Sequence, residues 1–448
     1  MSAGQRPQQS VTEPRFQPPS GPVIGWRDGA VVRATGIPYA TAERFEAPRP
    51  VDDRAEPFSA RGWSPMCPQP ADAIADTMFG VDPRALPTDE HCQHLSITMP
   101  AQSSATLLPV MVWIHGGGFV TGAGDLAVMD PASLVAEQNV VVVTVTYRLG
   151  LLGFIQSESG PKANLGLLDQ REAFRWIRRN ISAFGGDPHN VTAFGQSAGA
   201  AALVDLMATD DAASLFTRAI IQSAPLGIMR GREKLNRALS RRANAIRATT
   251  PIAAVADVQA DVIRAGAPFG LKGGMPIAPQ YGYPPLPAEQ DVDAEWRKTA
   301  PRIDVLIGST SEEARLFLPA LPGMARWFRM PLLGRILERG VAAFCTWAVY
   351  SRGARGFARR HRRAGGRVSR YVLSWSAAGN PLGAAHTIDL PLLFGDEAAW
   401  EKAALIKGSS WSDVHEDGRL LRAVWASFAR GERVDSPGGT RRFLRIRS

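Results

Sequence analysis

The sequence predicts an α/β architecture built on a mainly parallel sheet, and three observations carry that prediction. Residues 110–114 (VMVWI) and 140–146 (VVVVTVT) are continuous apolar, β-branched runs, the composition of strands buried on both faces. Residues 165–181 place Leu168, Phe174, Trp176 and Ile177 at helical spacing between such runs. Finally, Val191-Thr192-Ala193-Phe194 leads through Gly195-Gln196-Ser197-Ala198-Gly199 into an Ala/Leu-rich stretch without glycine or proline. That is a strand turning sharply into a helix around a serine.

Taken in order, residues 1–20 are rich in Gln, Pro and Ser and predict a disordered tail. Residues 21–448 are read as a single catalytic domain. Val23-Ile24-Gly25-Trp26 and Ala30-Val31-Val32-Arg33 predict short strands joined by an Asp28-Gly29 turn. Gly36-Ile37-Pro38-Tyr39-Ala40 is expected to be a loop. The 110–114 strand runs into His115-Gly116-Gly117-Gly118-Phe119, and the 140–146 strand into Tyr147-Arg148-Leu149-Gly150. Further short strands are expected at 219–223, 305–308 and 371–375, with a last helix at 418–429. Strands alternating with helices give the parallel sheet. Residues 224–300 and 316–370 are expected to be helical and loop insertions shaping a pocket. Residues 316–350 combine apolar residues with Arg326, Arg329, Arg335 and Arg339. They read as amphipathic cap helices, with contact to a membrane surface as the alternative. The Arg-rich stretch 352–370 reads as a solvated helix face, with His361 on it.

Composition excludes several classes. With 448 residues, 45% hydrophobic and 21% charged, the chain can bury a large globular core. The formal charge of +9 comes mostly from arginine, without aromatic-interleaved basic motifs or zinc spacing. It therefore reads as a basic surface, not a nucleic-acid interface. The N-terminus lacks an apolar signal segment and no long uncharged apolar run occurs, so a cytoplasmic location without a membrane span is expected. Cys67, Cys92 and Cys345 form no C-x-x-C pair, and neither metal nor organic cofactor is expected. Oligomeric state is not specified by the sequence.

The chemistry centres on Ser197. A serine on a strand-to-helix elbow projects its hydroxyl, and Gly195 and Gly199 relieve the crowding on either side. A serine hydroxyl needs a base, and the base needs an orienting acid. In elbow enzymes the order is Ser, acid, His. His361, His386 and His415 lie well beyond Ser197. His386 alone follows a core strand through a Gly-containing loop, and is the expected base. The acid should follow the 305–308 strand, where Glu312 and Glu313 both stand, and spacing does not choose between them. Ala198 and the glycines of the 115–118 loop are the expected oxyanion donors.

These pieces resemble the type-B carboxylesterase and cholinesterase family of the α/β-hydrolase fold. The likeness covers residues 22–429 and includes Phe184-Gly185-Gly186-Asp187-Pro188, Gln222-Ser223, and Gly383-Ala384-Ala385-His386 continuing to Asp389-Leu390-Pro391 and Phe394-Gly395. It implies Ser197 as nucleophile, Glu313 as acid, His386 as base, and Gly117, Gly118 and Ala198 as the oxyanion hole. It also implies a bridge between Cys67 and Cys92 in many relatives, which a reducing cytoplasm opposes. The chain departs from the family pattern at Gln196, where many relatives carry glutamate, and at Ala314, where glycine commonly follows the acid. The expected function is a serine carboxylesterase acting on small-molecule esters. The alternatives are a lipase or an amide or carbamate hydrolase on the same residues, or a non-catalytic binding protein of this fold.

Overall fold

The computed structural model describes residues 13–447 except 72, 81–85, 103, 319–327, 329, 331–332, 436–438 and 441. A ten-stranded sheet organises it. Its strands are β1 (Trp26–Asp28), β2 (Val31–Pro38), β3 (His94–Pro100), β4 (Leu108–Ile114), β5 (Val141–Val145), β6 (Gly186–Gln196), β7 (Arg218–Gln222), β8 (Asp304–Thr310), β9 (Val368–Leu373) and β10 (Leu444–Arg447). The spatial order is β10-β9-β8-β7-β6-β4-β5-β3-β2-β1. The strands from β9 to β5 run parallel; β10 at one edge and β3, β2 and β1 at the other pair antiparallel.

The parallel strands are apolar on both faces because both are covered. On β4, Val110, Val112 and Ile114 join one core, and Met111 and Trp113 join the other. Among the described residues the main helices around the sheet are α1 (Ala132–Gln138), α2 (Leu165–Asn180), α3 (Ala198–Leu206), α4 (Glu233–Ala243), α5 (Ile252–Ala265), α6 (Val292–Thr299), α7 (Leu333–Thr346), α8 (Arg352–Arg363) and α9 (Trp411–Ala429). Leu167, Phe174 and Ile177 of α2 and Leu203 of α3 pack into the first core, with α4, α5 and α6 beyond them. Leu134 of α1 and Leu421 and Trp425 of α9 pack into the second. Each such fully buried aliphatic side chain contributes about 1.5–3 kcal/mol over an exposed one.

Several expectations need correction. The predicted tail is shorter at its inner end. Arg15–Phe16 pairs antiparallel with Val23–Ile24, which pairs with Phe58–Ser59, in a small separate sheet. Residues 1–12 lie outside the described residues. The expected loop at Gly36 instead continues β2 with a bulge between Ala34 and Ile37. β3 and β10 carry no local signal strong enough to announce them, and they gain their strand form from pairing with β5, β2 and β9. α9 begins at Trp411, seven residues before the predicted start, because Ser410 and Asp413 form a reciprocal capping box. His361 does lie on the basic helix, α8, but points inward. It is buried, its Nε2 is 2.9 Å from the Ile303 carbonyl, and burial lowers its pKa. Of the four arginines in the segment expected to form a cap, Arg326 and Arg329 lie outside the described residues, while Arg335 and Arg339 are on α7. Cys67 and Cys92 are buried free thiols, with the Leu149 N–H donating to Cys67 Sγ at 3.3 Å. No helix among the described residues is long and apolar enough to cross a membrane.

Candidate active site

Four loops leave the C-terminal ends of parallel strands on the same edge of the sheet. They follow β4, β6, β8 and β9, and they carry the His115–Phe119 segment, Ser197, Glu313 and His386 respectively. The parallel register is what gathers residues from positions 115 to 386 into one site.

Ser197 sits between β6 and α3 with φ 56° and ψ −121°, a conformation strained for a residue bearing a Cβ. The turn is held from both sides: the Ser197 N–H donates to the Gln222 carbonyl at 2.9 Å, and the Ala201 N–H to the Ser197 carbonyl at 3.0 Å. A Cβ on Gly199 would lie 2.0 Å from the Ile114 carbonyl oxygen, and one on Gly195 would lie 2.9 Å from the Gly199 carbonyl carbon. The glycines thus serve a tighter purpose than mutual clearance. They let the elbow press onto the end of β4.

The loop after β4 lies directly against the elbow. A Cβ on Gly116 would come 3.2 Å from Ser197 Cβ. Gly117 has φ +103°, and a Cβ there would meet the Thr121 carbonyl oxygen at 2.0 Å, so this backbone admits no other residue. Its carbonyl accepts the Val120 and Thr121 N–H groups, both at 3.0 Å. Gly118 and Phe119 are also left-handed, both at φ 62°. His115 stacks on Tyr147 with centroids 4.4 Å apart, and the Tyr147 hydroxyl donates to the His115 carbonyl at 2.8 Å. Burial pushes the His115 pKa down to about 4, so the ring is neutral near pH 7 and serves as packing. Behind it, Arg148 and Asp169 form a buried bidentate pair at 2.7 and 2.8 Å.

The structure separates the two acids that spacing left open. Glu313 is fully buried; its Oε2 meets His386 Nδ1, and its Oε1 accepts the Thr310 N–H at 2.7 Å. Glu312 turns the other way. It accepts the Ala384 N–H at 3.1 Å and pairs with Arg315 at 3.0 Å, bracing the loop that carries His386. With Nδ1–H donated to Glu313, His386 Nε2 is an acceptor, and it receives the Gln196 amide at 3.2 Å. The rings of Tyr350 and Phe317 pack on the imidazole at 5.2 and 5.4 Å. Under it lies a chain in which Trp425 Nε1 donates to Gln222 Oε1 at 3.1 Å and the Gln222 amide donates to Asp389. Burial, with the Glu313 charge adding to it, raises the Asp389 pKa to about 6. His415, the third candidate base, is on α9 at 3.2 Å from Glu137, away from this constellation.

A half-buried Ser beside a buried His and Glu, on one edge of the sheet next to a glycine loop, is an arrangement for acyl transfer. Comparison with known proteins gives the family. The family model described as the carboxylesterase family matches residues 20–326. The chain belongs to the carboxylesterase family. It is 35% identical over 431 residues, 94% of each chain, to a probable N-octanoylanthranilate hydrolase of Rhodococcus erythropolis. It is 43% identical to the para-nitrobenzyl esterase of Bacillus subtilis over 210 residues, 45% of this chain and 42% of that one. Among solved structures, a thermophilic para-nitrobenzyl esterase superposes with a TM-score of 0.77 at 27% identity, covering 94% of this chain and 91% of that one.

This carboxylesterase is therefore a carboxylic ester hydrolase with the α/β-hydrolase fold. Sequence reasoning missed Tyr350 and Phe317, whose only signal was their place in a segment read as cap. It noted Gln196 and Asp389 as motif positions without seeing that both lie around His386. Among the described residues no group of three or more His, Cys, Asp or Glu could hold a metal. A cavity of about 600 Å³ opens between Ile228, Leu235, Phe269 and Leu271, but none of the proposed site residues lines it.

Proposed function

We propose that this carboxylesterase hydrolyses small-molecule esters through a serine-linked acyl-enzyme. Ser197 Oγ attacks the ester carbonyl while His386 Nε2 takes its proton, turning from the Gln196 amide to the serine. The N–H groups of Gly117, Gly118 and Ala198 receive the oxyanion; each such donor is worth about 10²–10³ in rate. The imidazolium, held by Glu313, returns the proton to the departing alcohol. Water then attacks the acyl-enzyme by the same route in reverse, and no cofactor takes part. The observation that best supports this reading is the Glu313–His386 contact. It fixes the imidazole tautomer that leaves Nε2 free to accept, at the elbow that carries Ser197.

Hydrolysis of a short-chain p-nitrophenyl ester by the wild type and by Ser197→Ala tests the reading. Turnover by the wild type with loss of about 10³-fold or more in the folded variant supports it. A folded wild type inert across several esters and amides would point to a binding protein on this fold instead.

A second reading is amide hydrolysis with the same residues, the leaving alcohol replaced by an arylamine. It is favoured by the end-to-end likeness to a protein named as a probable N-octanoylanthranilate hydrolase. Matched octanoyl esters and anilides would rank the two activities by kcat/KM.

A further inference from the structure

The helix α7 is mounted with its apolar side outward. Gly334, Ala342 and Thr346 face the protein, while Leu333 is 62% exposed, Ile336 69%, Phe344 60% and Trp347, in the following turn, 44%. With Leu337, these positions follow i, i+3, i+4, i+11 and i+14, a single stripe along the helix. An ordinary surface helix turns that stripe to the core. The stripe also ends beside the proposed active site. The Ala314 N–H, next to Glu313, donates to Thr346 Oγ1 at 3.1 Å, and Tyr350, one turn further on, packs on His386. Phe317, which also touches the imidazole, is itself 37% exposed.

Charge selects the occupant of this face. Arg335 and Arg339 are exposed on the same helix, and the Arg352 guanidinium lies 5.3 Å from the centroid of the Trp347 ring. From residue 333 to 370 the sequence holds ten arginines and one acid, Glu338. A second copy of the chain docking stripe to stripe about a two-fold axis would bring two copies of this basic segment together. An anionic lipid surface instead offers hydrocarbon to the stripe and phosphates to the arginines. An exposed apolar stripe that ends in a tryptophan with the Arg352 guanidinium over its ring, and arginines on the polar flank of the same helix, is the pattern of a helix lying in a bilayer interface.

We infer that α7 docks this carboxylesterase on the surface of an anionic phospholipid bilayer, with the mouth of the active site turned toward the lipid. Substrates partitioned into the bilayer would then reach Ser197 without crossing bulk water. This goes beyond the serine mechanism and does not depend on it.

Co-sedimentation of the full chain with unilamellar vesicles tests the inference without any turnover. The wild type is expected to pellet with phosphatidylcholine/phosphatidylserine vesicles, and about tenfold less with phosphatidylcholine alone or at raised salt. Ile336→Glu/Phe344→Glu should lower the partition about tenfold or more, and Arg335→Gln/Arg339→Gln should remove the preference for anionic lipid. The second pair leaves the stripe intact, so a folding defect in the first pair would not shield the inference. Both pairs should hydrolyse a soluble short-chain ester at the wild-type rate. The inference is overturned if the wild type stays in the supernatant with both vesicle types, or if both variant pairs pellet like the wild type. It is equally overturned if sedimentation equilibrium shows a dimer that Phe344→Glu dissociates while vesicles bind nothing, in which case a second copy covers the face.

Discussion

Replacing Glu313 by glutamine isolates the role of one charge, because the two side chains have nearly the same shape. In the wild type both carboxylate oxygens are acceptors: one faces the Thr310 N–H at 2.7 Å, and the other faces His386 Nδ1. Glutamine offers one acceptor and one donor. If its oxygen stays on Thr310, its NH₂ faces Nδ1 and forces the proton to Nε2, the atom that must accept from Ser197. If it flips, two donors meet at Thr310 in a site fully closed to water, which costs about 1–3 kcal/mol. The first arrangement is cheaper, so the variant should fold but hold the wrong tautomer. By analogy with the same change in a serine triad, kcat should fall about 10³–10⁴-fold, or about 4–5.5 kcal/mol of barrier. KM for a small ester should change little. Glu312→Gln is the matched control. It loses part of a partly exposed brace to Arg315 and Ala384 and should keep activity within about tenfold. Steady-state kinetics on a p-nitrophenyl ester, with melting curves for both variants, measure the contrast. A Glu313→Gln enzyme within tenfold of the wild type, or a Glu312→Gln enzyme that is equally crippled, would refute the assignment of the acid.

Gly199→Ala places a Cβ 2.0 Å from the Ile114 carbonyl oxygen, on rigid sheet backbone, whereas Gly185→Ala meets nothing within 4 Å despite a φ of +81°. Denaturant unfolding should show a loss of about 2 kcal/mol or more with inactivity for the first, and about 1 kcal/mol with full activity for the second. Burial raises the Asp205 pKa from 3.8 to about 7 in the folded chain, with the Tyr281 hydroxyl bond and nearby arginines opposing the rise. Since the native state holds this proton longer than the unfolded chain, the stability it contributes is intact below about pH 4 and is lost as pH rises to about 7. Asp205→Asn keeps an oxygen for the Tyr281 hydroxyl. Its stability relative to the wild type should therefore grow between pH 4 and 8 by a few kcal/mol, at about 1.4 kcal/mol for each tenfold difference in proton affinity between the folded and unfolded chain. Paired melts at those pH values check the sign. Of the three cysteines only Cys345 is partly exposed. A thiol reagent should therefore titrate one group in the native protein and three after unfolding without reductant. A single thiol after unfolding would mean that Cys67 and Cys92 are bridged.

Local pattern in the sequence determined the parallel strands, the elbow, the glycine loop and the identity of Ser197 and His386 as candidates. These features depend on contacts between near neighbours. A doubly buried strand must be apolar along its whole length, and a sharp turn carrying a serine must have small residues beside it. The tertiary structure decided what adjacency along the chain does not encode. Glu312 and Glu313 are equivalent by spacing, and only the position of the loop after β9 makes one a partner of His386 and the other a brace. His361 and His386 are both histidines beyond Ser197. The packing of α8 under β8 ties the first to the Ile303 carbonyl and removes it from the chemistry. β3 and β10 are strands because neighbouring strands offer them hydrogen bonds, a partner-dependent gain that no window of sequence contains. The apolar stripe of α7 is equally legible as a core face. Its outward turn follows from where Thr346 and Tyr350 anchor the helix beside the active site, a long-range contact that periodicity alone does not specify.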